Sequence, residues 1–344
     1  MKTIKDADVT GKKVLVRCDF NVPLDENGNI LDNFRIKETA PTINYLADKG
    51  ARVILMSHLG DPEGFSVNLT LDKVKESLSQ ILGREIKKAN DCTGEEVKKM
   101  TQSLLDGEIL ILENLRFNKE EAENNQEFAK QLAGLADIYI NEAFSVCHRE
   151  HASIASVPFY LPAYAGFLLE KEIVSLERVY KDPEKPMIAI IGGKKVETKI
   201  KVIDRLSERS TFVIISGLIK KEADEKKIPF ILPEKIVAPT GNLSDFDISD
   251  ETIELFKEKI LTAKTVLWNG PFGKTEDEQY CKGTLAIANA IVESGAFSLA
   301  GGGETIEFLD RHGLTEKFSH VSTGGGAMLS FLAGEELPGL KALN

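Results

Sequence analysis

The chain predicts an α/β protein built from two doubly wound parallel-sheet domains joined by a long interdomain helix. Three observations lead there. Short apolar runs alternate with amphipathic stretches of helical spacing along the 344 residues, the pattern of βαβ units. That length is more than one ordinary core requires and suits two. The alternation is broken once, near residues 168–184, by a single stretch with the spacing of a long helix.

Taken in order, "KKVLVRCDFNV" reads as a strand, "RIKETAPTINYLADKG" as a helix closed by Gly50, and "ARVILMSHLG" as the next strand. "DKVKESLSQILG" is helical, "GEILILEN" strand-like, "NNQEFAKQLAGLA" helical and "DIYINEAF" a strand. These form a first domain, residues 1–167, of Rossmann-like type. "AYAGFLLEKEIVSLERVYKDPEKP" predicts a spacer helix of about five or six turns over 168–184. A second domain, 185–332, carries the strands of "MIAIIGG", "STFVIISG", "KTVLWNGPFG", "AFSLAGGGET" and "HVSTGGGAMLSFLAG". "DEKKIPFILPEKIVAPTGNLSDFDISDE" is the least patterned part and reads as a connection holding one short strand. The tail, 333–344, is expected to pack back on the first domain.

Composition narrows function. A net charge of −11 excludes general nucleic-acid binding, which needs a basic surface to replace phosphate counterions. Cys18, Cys92, Cys147 and Cys281 are scattered without metal-ligand spacing and read as reduced thiols. There is no apolar leader and no run of the roughly 20 apolar residues a membrane span requires. The expectation is a cytoplasmic protein without membrane or nucleic-acid partners, monomeric in the absence of any heptad pattern.

Ligands of open parallel sheets bind beyond the carboxyl ends of the strands. Gly192-Gly193, Gly301 to Gly303 and Gly324 to Gly326 fall at such ends. Glycine there admits close backbone approach, and a following helix N-terminus suits phosphate. One such loop is as well explained by a packing turn; three in one domain point to a polyphosphate ligand. Neither GxxxxGK[ST] nor a strand-linked GxGxxG is present. Lys195 and Lys199, spaced i, i+4, are expected on one face of the helix after Gly193. In the first domain Arg17, Asp19, Asn21, Arg35, His58, Arg116, His148, Arg149 and His151 gather at strand mouths, which in an acidic chain favours a small anionic substrate. Two anion sites and no nucleophile set suggest phosphoryl transfer, which depends on positioning and charge neutralisation.

At these residues the chain resembles the phosphoglycerate kinase family. "VLVRCDFNVPLDENGNI", "PTINYLADKGARVILMSHLG", "ILENLRF", "AFSVCHREHASIASVP", "AGFLLEKEI", "IIGGKKVETKI", "VLWNGPFG", "AGGGET" and "STGGGAMLSFLAGEELPGL" occur in the family's order. The resemblance implies transfer of a phosphoryl group between 1,3-bisphosphoglycerate and ADP, giving 3-phosphoglycerate and ATP, with Mg²⁺. It assigns Asp19 and Asn21 to the glycerate, and Arg35, His58, Arg116 and Arg149 to its phosphate. Lys195 would steady the group in flight, with Arg35, Gly325 and Gly326 at the transfer point, reached when the domains close. Gly193, Lys199, Asn269, Gly302, Gly303 and Thr305 would line the nucleotide site, Glu276 would lie near the ribose, and Glu304 would meet the metal.

The chain departs from the family pattern in several places. HLGRP becomes "HLGDP", so Asp61 stands where an arginine is usual; Glu304 replaces an aspartate; "KKVETK" adds Lys194; "NEAFSVCH" replaces NDAFGTAH; and "PFGKTE" alters the wall near Lys274. The second domain is short, with "LIKKEADEKKIPF" in place of the GGMAYTFL helix, so adenine contacts are not carried over. These departures leave a second reading, a catalytically impaired relative that binds phosphorylated ligands. A nicotinamide dehydrogenase fits the fold class but lacks its glycine fingerprint. The retained Lys195, Lys199, Arg35, Arg116 and Arg149 favour an enzyme.

Overall fold

The computed structural model describes residues 1–243 and 246–344. The chain divides into two compact units, Met1–Lys171 with Glu336–Asn344, and Glu172–Glu335.

In the first unit β1 (Lys13–Arg17), α1 (Phe34–Asp48), β2 (Arg52–Met56), α2 (Asp72–Leu82), β3 (Ile86–Lys88), α3 (Glu95–Gln102), β4 (Ile109–Ile111), α4 (Lys119–Ala122), α5 (Gln126–Ala133), β5 (Ile138–Asn141) and β6 (Ala163–Ala165) succeed one another. The sheet runs β3-β4-β2-β1-β5-β6, and the pairs are parallel. Its strands are near-continuous apolar runs because helices cover both faces. α2 buries Val74, Leu78 and Leu82, four residues apart on one stripe, and ends at Gly83, whose positive φ of 63° is the left-handed stop a glycine supplies. The crossovers change direction between β1 and β5, so a crevice opens at their carboxyl ends.

α6 (Phe167–Tyr180) carries the chain from the first unit into the second. It has 14 residues, about four turns, and so corrects the expected helix over 168–184. Pro183 accounts for the early stop, since the residue before a proline is pushed out of helical geometry.

The second unit continues with β7 (Met187–Ile191), α7 (Val196–Arg209), β8 (Phe212–Ile215), α8 (Gly217–Lys226), β9 (Ile236–Val237), α9 (Asp250–Ile260), β10 (Thr265–Asn269), α10 (Lys282–Glu293), β11 (Phe297–Gly301), α11 (Gly303–Arg311), β12 (His320–Ser322) and α12 (Gly325–Leu332). The sheet order is β12-β11-β10-β7-β8-β9, and the direction of winding reverses between β7 and β10. All five side chains of β7 are buried, as a central parallel strand demands. A helix, α8, occupies the segment where the sequence led us to expect one to be missing; Ser216 caps it by accepting from Ile219 N. β9 is the short strand of the poorly patterned connection, part of which lies outside the described residues.

The short α13 (Pro338–Lys341) belongs to the first unit. Gly339 N donates to Cys147 O at 2.9 Å, and a Cβ at Gly339 would meet Ile154 and Cys147 at 2.8–2.9 Å.

Candidate functional site

In the first unit the loops after β1, β2, β4 and β5 converge on a cationic cluster. Asp19 follows β1 and is 4% exposed. Its Oδ2 accepts from Arg35 Nη1 at 2.6 Å and from the Ser145 hydroxyl, and its Oδ1 accepts from Asn21 N at 3.0 Å. Burial raises the Asp19 carboxyl, but the Arg35 guanidinium and the hydrogen bonds from Ser145 and Asn21 N outweigh it and hold the group below its ordinary range. Arg35, at the start of α1, also donates to Asn21 O at 3.1 Å. The Asn21 side chain accepts from Gly60 N at 2.8 Å, tying the β1 loop to the β2 loop.

His58, beyond β2, is buried. Its Nδ1 lies 3.8 Å from Asp19 Oδ1 and accepts from Arg17 Nη2 at 3.4 Å; a guanidinium can only donate, so the ring is neutral at that nitrogen. Burial, aided by Arg17, Arg116 and Arg35, pushes the His58 pKa well below that of a free imidazole against the pull of Asp19. Arg17 is fully buried and its Nε donates to Ser153 Oγ at 2.8 Å. Ser153 in turn donates to Glu121 Oε1 at 2.5 Å through its hydroxyl and to Glu121 Oε2 at 2.9 Å through its backbone N–H.

Arg116 sits on the turn after β4, which Asn114 caps by accepting from Arg116 N. Its Nη1 donates to Asp61 Oδ1. Its Nε and Nη2 are buried and have no partner, and the same holds for His151 Nδ1. Buried N–H groups without acceptors are costly, and an anion is the kind of group that would satisfy them. Arg149 is exposed, yet close enough, with burial and Arg17, to lower the Arg116 pKa. His151 is lowered to about 4 by burial and by Arg116, Arg17 and Arg149. Asp19, Asn21, Arg35 and His58 are thus brought together by direct contacts, and Arg116 and Arg149 join them electrostatically. The serines at 57, 145 and 153, which order the cluster, carried no sequence signal; Phe20 N, for example, donates to Ser57 Oγ at 2.8 Å.

In the second unit three glycine loops meet at the carboxyl edge of the sheet. Gly192 lies against the loop after β10 so closely that a Cβ there would stand 2.2 Å from Gly270 O and 2.3 Å from Pro271 O. A Cβ on Gly325 would stand 2.6 Å from Gly302 Cα, so the starts of α11 and α12 adjoin. Asn269 Nδ2 donates to Gly301 O at 3.0 Å. The Thr305 hydroxyl accepts from Gly270 N at 2.8 Å and is buried, and the Thr305 backbone N–H lies in the first turn of α11. Gly193, Gly303 and Gly326 complete the rim, and N-termini of α7, α11 and α12 give backbone donors suited to phosphate.

Lys195 and Lys199 do not share a helix face. Lys195 precedes α7 at φ 66°, a left-handed residue outside the helix, and is exposed. Lys199 lies in the first turn, where its Nζ donates to Gly192 O and stands 3.0 Å from the Cβ position of Gly193. Burial lowers its pKa, and Glu304 opposes that shift. Glu304 is exposed in the first turn of α11 and Glu276 in the turn after β10. Glu222, from α8, was not anticipated: its carboxylate accepts from Val196 N at 2.6 Å at the positive end of α7. Among the described residues no group of three or more His, Cys, Asp or Glu side chains is arranged to hold a metal ion, and no helix is long and apolar enough to cross a membrane.

Fold and site together define a two-unit α/β protein in which each doubly wound sheet gathers cationic side chains or backbone N–H groups at its carboxyl edge. The phosphoglycerate kinase family model matches residues 4–224 and 220–335. The phosphoglycerate kinase of Dictyoglomus turgidum is 45% identical over 386 residues, covering 99% of this chain and 97% of that protein, and that of Aquifex aeolicus is 41% identical, covering 100% and 98%. Among solved structures, phosphoglycerate kinase from Pyrococcus horikoshii superposes with a TM-score of 0.90 at 32% identity over 100% of this chain and 98% of its own, and that from Coxiella burnetii with 0.83 at 33% over 99% and 98%. The chain belongs to the phosphoglycerate kinase family. Alignment over more residues than the chain possesses, with the two family matches meeting at 220–224 on α8, locates the shortening in the second unit.

Proposed function

We propose that the chain catalyses reversible phosphoryl transfer between 1,3-bisphosphoglycerate and ADP, giving 3-phosphoglycerate and ATP. Family membership over the whole chain supports the reaction, and one observation carries the substrate side: the buried, unpartnered Nε and Nη2 of Arg116 inside a cluster of arginines. On this reading the first unit binds phosphoglycerate. Arg35 and Asn21 orient the glycerate end beside Asp19, while Arg116, Arg149 and neutral His58 receive its phosphate. The second unit binds the nucleotide, its phosphates lying on the starts of α7, α11 and α12. Lys199 neutralises them, and Lys195, with Arg35 and the N–H groups of Gly325 and Gly326, stabilises the charge of the migrating group. Asn269 holds the β10 and β11 loops in register, and Glu276 lies toward the ribose. The enzyme acts in glycolysis or its reverse and works in the cytoplasm as a monomer.

Magnesium fits this donor set. It is bound through one or two carboxylates and substrate phosphates, with several waters retained, and Glu304 is one exposed carboxylate beside Lys199. When bound, the ion would neutralise phosphate charge.

Coupled assay of ATP consumption with 3-phosphoglycerate tests the reading. Wild type is expected to turn over, and Lys195→Ala to lose about 10²–10³ in kcat, the magnitude of one lost transition-state donor. A wild-type protein without turnover ends the proposal.

A further inference from the structure

Two carboxylates, Asp61 and Glu121, lie near Arg116, and a third, Asp19, lies elsewhere in the cluster. Asp19 is locked by Arg35, Ser145 and Asn21 N. Glu121 is fully buried and held by two bonds from Ser153. Asp61 differs from both: its side chain is 83% exposed, and its one polar contact in the cluster is the Arg116 guanidinium, itself 5% exposed. The loop bearing Asp61 is anchored on either side without it. Gly60 N donates to Asn21, and the Phe65 ring packs on Phe117 with centroids 5.1 Å apart.

A buried guanidinium needs a counter-charge, because an uncompensated buried ion is strongly destabilising. Asp61 supplies it, and being solvated already, it loses little by swinging away. Nε and Nη2 are buried and unpartnered, so an incoming anion meets the guanidinium at the side that exposed Asp61 now holds. Resting on the phosphoglycerate reading above, we propose that Asp61 is a specificity-determining residue, a tethered carboxylate that occupies Arg116 in place of substrate phosphate. A tethered group competes at an effective concentration on the order of mM. A ligand must therefore outbid it. A phosphate ester that also engages other cations of the cluster does so, and a simple inorganic anion does not. Asp61 thus trades some phosphoglycerate affinity for resistance to occupation by small anions.

The test compares wild type, Asp61→Asn and Asp61→Glu by steady-state kinetics with 3-phosphoglycerate, by inhibition with inorganic sulfate, and by calorimetric titration of sulfate into each protein. For Asp61→Asn the expected result is a fall of at least threefold in KM for 3-phosphoglycerate and at least tenfold in the sulfate inhibition and dissociation constants. Asp61→Glu, which keeps the carboxylate, should stay near wild type. Unchanged or weakened sulfate binding by Asp61→Asn, with its melting temperature intact, overturns the inference. Sulfate titration reads Arg116 without turnover. An inactive wild type would therefore defeat the phosphoglycerate reading alone, and unchanged sulfate binding in an active enzyme would defeat the role of Asp61 alone.

Discussion

The cationic cluster of the first unit keeps its imidazoles neutral, and this has a consequence for stability. His58 is held well below its free pKa and His151 at about 4, whereas both titrate near 6.5 when the chain is unfolded. Between those values the unfolded chain binds more protons than the folded one, so these two groups lower stability as pH falls below 6.5, and His151 continues to do so down to about 4. We expect His151→Asn to lose less melting temperature than wild type between pH 7 and pH 5. Equal losses would mean that His151 is not held neutral by burial and its arginine neighbours. At this scale the residue types were legible: arginines, histidines and an aspartate at strand mouths announce an anion. What each one touches was not. Asp61 read as a bare charge inversion, and its pairing with Arg116, 55 positions away, needed the β2 and β4 loops to be side by side.

At the scale of elements, the start of α6 depends on a buried carboxylate. Glu142 follows β5, is fully buried, and accepts from Leu168 N at 2.9 Å, from Leu169 N at 3.4 Å and from the Thr42 hydroxyl. Gly166 is required beside it, since a Cβ there would stand 1.9 Å from Glu142 Oε2. Burial raises Glu142 from 4.5 to about 7, while its three donors restrain the shift. A raised carboxyl binds its proton in the fold and releases it in the unfolded chain, so its contribution is present below about pH 4.5 and is lost as pH rises through about 7. Glu142→Gln keeps the acceptor oxygen and cannot ionise. Relative to wild type it should gain stability between pH 5 and pH 7.5 by roughly 3 kcal/mol, at 1.36 kcal/mol per pH unit, measured as the difference in urea unfolding free energy. A constant difference across that range would refute the assignment. Helix α6 itself was legible from its periodicity, though not its end at Tyr180. The i, i+4 spacing of Lys195 and Lys199 misled because Lys195 turns left-handed just before the helix, and a spacing rule holds only once both residues are helical.

At the scale of the molecule the first unit is discontinuous: the chain leaves it after Lys171 and returns at Glu336. The returning segment buries Leu337 and Leu343 and places Gly339 against Cys147, in the segment that carries Arg149 and His151. Burying two leucines contributes about 4 kcal/mol. A chain stopped after Glu335 should therefore melt about 10 °C lower in a unit of this size, with weakened sulfate titration at the Arg116 site. An unchanged melting temperature would show the tail to be dispensable.

By itself the sequence determined that two parallel sheets form, which glycines end their strands, and which cations stand near those ends, because alternation, periodicity and residue chemistry are local properties of the chain. Only the tertiary structure decided that Asp61 occupies Arg116, that the Thr305 hydroxyl serves Gly270 N, that Glu142 caps α6 and that Glu222 caps α7. Each of those pairings joins residues on different elements. Which polar group satisfies which partner follows from strand order and crossover geometry, and no local spacing encodes it.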